Sequence, residues 1–154
     1  MINKIKRIEK NIKKDCGCNG CRKCNLKISR IKKYFNSSIP SEYWNYSFKN
    51  FSGSPIIKNR VKLYLKDVDS MYDSGKSLFM VGTLGTGKTY SACCILKMAL
   101  AKGYTAKYTN MVDIINNIIS NSSVNSGEYI ESLINLDFLV IDELDSRWIF
   151  PSEK

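Results

Sequence analysis

The octapeptide Gly82-Thr-Leu-Gly-Thr-Gly-Lys-Thr89 constrains this chain more than any other stretch. Its spacing is that of a phosphate-binding loop (P-loop), in which successive backbone N–H groups wrap an anion at the positive end of a helix. Gly82, Gly85 and Gly87 let the backbone turn and approach phosphate oxygens with no Cβ in the way. Thr83, Leu84 and Thr86 complete the cradle, Lys88 places its ammonium on the β- and γ-phosphates, and Thr89 offers its hydroxyl to Mg²⁺. Such a loop needs a strand before it and a helix after it. Leu78-Phe-Met-Val81 predicts a short buried strand, and Ala92, Ile95, Leu96, Ala99 and Leu100 predict a helix over 88–102 that Gly103 stops.

A second acidic element raises the specificity of the first. In Phe138-Leu-Val-Ile-Asp-Glu143 four apolar residues predict a buried strand, and the acids emerge at its C-terminal edge, the ligand-binding rim of a parallel sheet. The pattern assigns Thr89 and Asp142 to magnesium, and makes Lys88 and Glu143 the catalytic pair, with Glu143 polarising the attacking water. The expected ligands are ATP and Mg²⁺. Asp145 and Arg147 read as surface charge beside the strand end.

Between these motifs, Tyr104–Tyr108 predicts a strand, Val112, Ile115, Ile118 and Ile119 a helix, 120–127 a Ser/Asn-rich break, and 128–135 a short helix. Ahead of them, Ile57, Val61, Leu65, Val68 and Tyr72 predict one helix over 56–74. The alternation of strands and helices implies an α/β fold with a parallel sheet and right-handed crossovers.

The chain of 154 residues carries a net charge of +10, and residues 1–35 account for all of it, with twelve Lys/Arg against two acids. A basic segment of this kind attracts polyanions, nucleic acid first among them; a merely solvated lysine surface is the bland alternative. The same segment holds Cys16, Cys18, Cys21 and Cys24. Cys-x-x-Cys spacing with four thiols suits tetrahedral zinc, and with no histidine in the chain a four-ligand soft site is all-cysteine. An iron–sulfur cluster and free or redox-active thiols are the alternatives. Cys93 and Cys94 fall inside an apolar helix and read as small core residues. Ile2, Ile5, Ile8 and Ile12 mark an apolar helical stripe over 2–14, and Leu26 to Phe35 a second short helix.

Three parts follow: a basic, cysteine-rich module over 1–35, a linker over 36–55 packed on the core, and a P-loop ATPase domain over 56–154. The linker is polar in its turns yet carries Tyr43, Trp44, Tyr46, Phe48 and Phe51, rings that need burial or a ligand. No run of about 18 apolar residues exists, so no membrane span is expected, and the charged N-terminus argues against a secretory signal; the expected location is cytoplasmic.

Ile39-Pro-Ser-Glu-Tyr43 and Tyr46-Ser-Phe-Lys-Asn-Phe51, with Gly82–Thr89 and Asp142-Glu143, give a chain that resembles the DnaC/DnaI/IstB group of AAA+ ATPases over roughly residues 36–146. The strand in Gly103-Tyr-Thr-Ala-Lys-Tyr108 is similar to that group's second strand. The resemblance implies an ATPase of DNA replication that loads a replicative helicase, engages single-stranded DNA and works as a homo-oligomer, with 1–35 facing the helicase or the DNA. A transposition-assisting ATPase of the IstB kind shares the same core, and a non-hydrolysing fragment that binds metal and nucleic acid is a third reading. The group's core continues past the acidic strand with a sensor strand, an arginine finger and a further strand, so this chain is expected to be the front part of an AAA+ domain.

Overall fold

The structure is a computed structural model; it describes residues 2–18, 20–120 and 123–144, with only the backbone for 2–4 and 123–125. Two helices, α1 (Ile2–Cys16) and α2 (Arg22–Asn36), form an antiparallel hairpin that buries Ile12, Cys24 and Ile28 against Ile8 and Ile31. The linker over 37–54 contains two 3₁₀ turns, Ser41–Tyr43 and Phe48–Asn50. Pro55, whose missing N–H costs nothing in a first helical turn, then opens α3 (Pro55–Lys66).

The predicted helix over 56–74 divides in two. Asp67 leaves helical geometry (φ −140°, ψ 61°) and its carboxylate accepts from Ser70 N at 3.2 Å, so it caps a separate α4 (Val68–Asp73). After α5 (Lys88–Lys102) come β1 (Ala106–Asn110), α6 (Met111–Ser120), α7 (Ser123–Ile134) and β2 (Phe138–Asp142). Strand β1 starts two residues later than its apolar pattern indicated, because Asp137 takes Thr105 first: the Thr105 N–H and hydroxyl both donate to its carboxylate at 2.8 Å. Helix α7 begins within the Ser/Asn-rich stretch, five residues before the predicted helix at 128.

β1 and β2 pair in parallel, Ala106 opposite Phe138 and Asn110 opposite Asp142. They are the only paired strands among the described residues. Leu78–Val81 does not form the expected buried strand. It runs beside α5 without a ladder partner, and Phe79 and Val81 are 70% and 77% exposed. A groove of about 1000 Å³ lined by Leu78, Met80, Leu139, Ile141 and the α5 residues Ile95 and Leu96 lies between the segment and β2, so the segment has no described backbone to pair with. A strand needs a partner's backbone as well as its own apolar side chains. For the same reason β2 is covered on one face only, with Phe138 buried while Leu139 and Ile141 stand exposed.

Helix α5 is the centre of the molecule. Cys93, Leu96, Ala99 and Leu100 are buried with Ile39, Val68, Ala106 and Phe138 in one cluster, and Tyr34 of α2 and Tyr43 and Trp44 of the linker pack on its rim. Burial pushes the Cys93 thiol up to about 12, as befits a core thiol. Gly103 ends α5 at φ 103°, a left-handed turn suited to glycine. Lys33 Nζ donates to Leu100 O at 3.2 Å, which fastens α2 to the carbonyl end of α5. No helix among the described residues is long and apolar enough to cross a membrane.

The buried Lys97 of α5 holds the linker, donating to Tyr43 O at 2.6 Å and Tyr46 O at 2.5 Å. Lys97→Met leaves those carbonyls without their charged donor. The expected loss is about 1.5–3 kcal/mol of stability by urea melt, with faster proteolysis of the linker over 43–51.

Candidate functional site: the phosphate loop and its carboxylate rim

The loop over 82–87 leads directly into α5, whose N-cap is Gly87 in the left-handed region (φ 90°). Gly85 adopts φ 79°, again a conformation that side chains resist. Because the first intrahelical bond runs from Ser91 N to Gly87 O at 2.9 Å, the N–H groups of Gly87, Lys88, Thr89 and Tyr90 have no acceptor within the helix. They form the anion-seeking end of α5. Lys88 folds back over the loop, its Nζ donating to Gly82 O at 2.7 Å and Thr83 O at 2.8 Å. Thr86 Oγ1 donates to Thr83 O at 2.9 Å and pins the turn, while Leu84 projects into solvent at the apex.

The loop meets the end of β2 through one side chain. Thr89 Oγ1 donates to Asp142 Oδ2 at 2.7 Å, across 53 residues of sequence. Tyr108 OH donates to the same oxygen at 2.8 Å, and Glu143 N donates to Oδ1 at 2.9 Å. Burial raises the Asp142 pKa, but these three hydrogen bonds and the charge of Lys88 outweigh it, so the carboxyl titrates below its usual range and is ionised at neutral pH. Burial, followed by the bond to Asp142, pushes the Tyr108 phenol well above its ordinary value, and it stays a donor. Glu143 follows at φ 55°, an uncommon conformation for a residue with a side chain, and turns the chain at the rim with its own side chain exposed. Asp145 and Arg147 lie outside the described residues.

Sequence reasoning missed what holds the loop from behind. The Phe51 ring is buried between two glycines: a Cβ on Gly53 would stand 2.4 Å from it and 2.8 Å from Thr86 O, and a Cβ on Gly87 2.5 Å from it. Phe48 stacks on Phe51 at 5.3 Å, and Tyr90 of α5 packs on Phe51 at 5.4 Å and donates to Ser47 O at 2.7 Å. The aromatic lead-in is thus a buttress for the phosphate loop. Tyr108 was missed too, although strand parity could have found it: opposite Val140, it shares the face that carries Asp142.

The four N-terminal cysteines converge at the bend of the α1–α2 hairpin. All four sulfurs lie within 4.8 Å of one another, with Cys16 to Cys21 at 3.8 Å and Cys18 to Cys24 at 3.4 Å. A tetrahedron of thiolates about 2.3 Å from zinc has edges of about 3.8 Å. The set therefore fits one ion, whereas an iron–sulfur cluster places several metal atoms between its thiolates and spreads them further. The amides of Cys21 and Gly20 point at Cys18 Sγ and bring its thiol down to about 6, while hydrogen bonds to Cys18 and Cys16 push the Cys24 thiol up.

A family model described as IstB-like ATP binding protein matches residues 39–148. The chain belongs to this family. No curated protein and no solved structure matches the chain. The matched span runs from Ile39 of the linker through the phosphate loop and β2. Membership supports ATP binding and a P-loop, AAA+ nature for the chain, and the matched span takes in the buttressing linker together with the loop.

Gly53→Ala puts a Cβ against the Phe51 ring and Thr86 O, and so disturbs the loop from behind without changing the identity of any P-loop residue. Affinity for a fluorescent ATP analogue is expected to fall at least tenfold in a titration of the folded variant; unchanged affinity would show that the buttress plays no part in binding.

Proposed function

We propose that this protein is a magnesium-dependent ATPase of DNA replication, of the helicase-loader kind, which couples ATP binding and hydrolysis to engagement of a replicative helicase and single-stranded DNA. The observation that carries the nucleotide chemistry is the convergence of Thr89 and Asp142 at 2.7 Å beside the free amides of α5. A hydroxyl and an ionised carboxylate are hard oxygen donors and suit Mg²⁺, which when bound neutralises phosphate charge.

In this reading the amides from Gly82 to Thr89 surround the β-phosphate, and Lys88 leaves the Gly82 and Thr83 carbonyls for the β- and γ-oxygens. Lysine thus exchanges two neutral acceptors for charged ones, which favours the bound form. Thr89 and Asp142 would hold the magnesium, and Tyr108 keeps the carboxylate aimed. Glu143, exposed at the rim, orients a water and takes its proton as the water oxygen bonds to the γ-phosphorus and the bond to ADP breaks. In the resembled group an arginine of a neighbouring subunit stabilises the transferring phosphoryl group, and no arginine of this chain is assigned that role.

The partner assignment rests on the resemblance of the Ile39–Phe51 lead-in to helicase loaders and on the separate basic module with its metal-ligating cysteines. Zinc is the metal proposed for Cys16, Cys18, Cys21 and Cys24, on the sulfur spacing. A transposition-assisting ATPase acting on duplex DNA is the second reading, favoured by the description of the family matched. Co-purification with a hexameric helicase supports the first, and with a transposase the second.

Lys88→Ala should lower ATP affinity at least tenfold by calorimetry, and Glu143→Gln should keep affinity while cutting phosphate release about a hundredfold or more. An unaltered affinity in the lysine variant would sink the nucleotide reading itself. Purified chain is expected to carry one equivalent of zinc by elemental analysis, and Cys24→Ser to lose it.

A further inference from the structure

A second groove shares no lining residue with the phosphate loop. Helices α2 and α3 form its walls, the linker over 44–49 closes one end, and Cys94, Met98 and Ala101 of α5 line its floor, enclosing about 750 Å³. Lys27 and Arg30 face it from α2, Lys58 and Lys62 from α3, and Lys49 from the linker. All five are exposed, and neither ion pair among the described residues, Glu9 with Lys32 and Asp69 with Lys102, involves them. Among the described residues no acidic side chain lines the groove. A sixth cation, Lys97, is already committed to the Tyr43 and Tyr46 carbonyls.

Rings stand among these charges. Trp44, Tyr46 and Phe48 line the linker end and Tyr34 the α2 wall. They are held rather than loose: Trp44 Nε1 donates to Ile39 O at 2.8 Å, Tyr46 stacks on Tyr90 at 5.3 Å, and Phe48 stacks on Phe51. Tyr46 is nevertheless half exposed. Five unpaired cations alone would attract any polyanion. Cations interleaved with fixed aromatic faces in a concave track specify one whose backbone is anionic and whose bases are free to stack. A duplex keeps its bases paired inside and offers the rings nothing, and an acidic peptide uses the charge while leaving the rings idle.

We infer that the groove between α2, the linker and α3 binds single-stranded nucleic acid, with phosphates on Lys27, Arg30, Lys49, Lys58 and Lys62 and bases against Trp44, Tyr46 and Phe48. This deepens the reading of the protein as a DNA-handling ATPase and rests on it for the choice of polyanion, but the site is separate from the phosphate loop. Each phosphate contact contributes about 0.7 to the slope of log affinity on log salt.

The test is fluorescence anisotropy of a labelled 20-nucleotide oligo-dT and of a duplex of equal length, with the full chain at several salt concentrations. Wild type is expected to prefer oligo-dT. The double variant Lys58→Glu, Lys62→Glu is expected to lose at least tenfold in affinity and to show a salt slope shallower by about 1.4. A matched pair on α1, Lys10→Glu with Lys14→Glu, removes equal charge from an exposed helix outside the groove and should cost less than threefold. In a Trp148→Phe background, the fluorescence of Trp44 should be quenched by oligo-dT. Preference for duplex, no binding of oligo-dT, an equal loss in both double variants, or a silent Trp44 would each overturn the assignment. ATP affinity is expected to be unchanged in the α3 variant, so failure of the groove leaves the P-loop reading standing, and failure of Lys88→Ala leaves the groove standing.

Discussion

Burial of α5 on nearly every side is the constraint on which the rest depends. A helix that touches α2, α3, β1, β2 and the linker cannot shift without disturbing all of them. Its N-terminus is the phosphate loop, so the direction of the unpaired amides is fixed by packing many ångströms away. The loop itself has little to hold it beyond Thr86, Lys88 and the Phe51 wedge. Core and site are therefore one problem: the apolar residues of α5 aim the polar groups at its end.

The carboxylate of Asp142 is the second fixed point. It collects a hydroxyl from α5, a phenol from β1 and a backbone amide from its own strand end. Three donors from separate elements keep it ionised and oriented, and they register the sheet against the helix. An aspartate in water would have to lose hydration and rotamer freedom on binding; here much of that ordering accompanies folding.

What the sequence made legible were local patterns with a steric or chemical reason. The glycines of the loop, the stop at Gly103, the helix carrying Cys93 and Cys94, and the cysteine cluster all follow from near neighbours in the chain. Readings that needed a distant partner fared worse. Leu78–Val81 has a strand's composition, but pairing depends on what lies beside it, and a groove lies there. The break at Asp67 turned on a single side-chain bond to Ser70, and the start of β1 on Asp137. The purpose of the aromatic lead-in was half visible: its rings called for burial, but only tertiary structure seats Phe51 against Gly53 and Gly87.

Helix α2 belongs to both halves of the molecule. Its Cys24 sits in the cysteine cluster, and its Tyr34, ten residues on, packs against the central core with Lys33 tied to Leu100. A helix rises about 1.5 Å per residue, so a rigid rod of about 15 Å joins the two, with no hinge between them. The cysteine end is thereby held at a set distance and azimuth from the carbonyl terminus of α5 by stiff helix instead of slack chain.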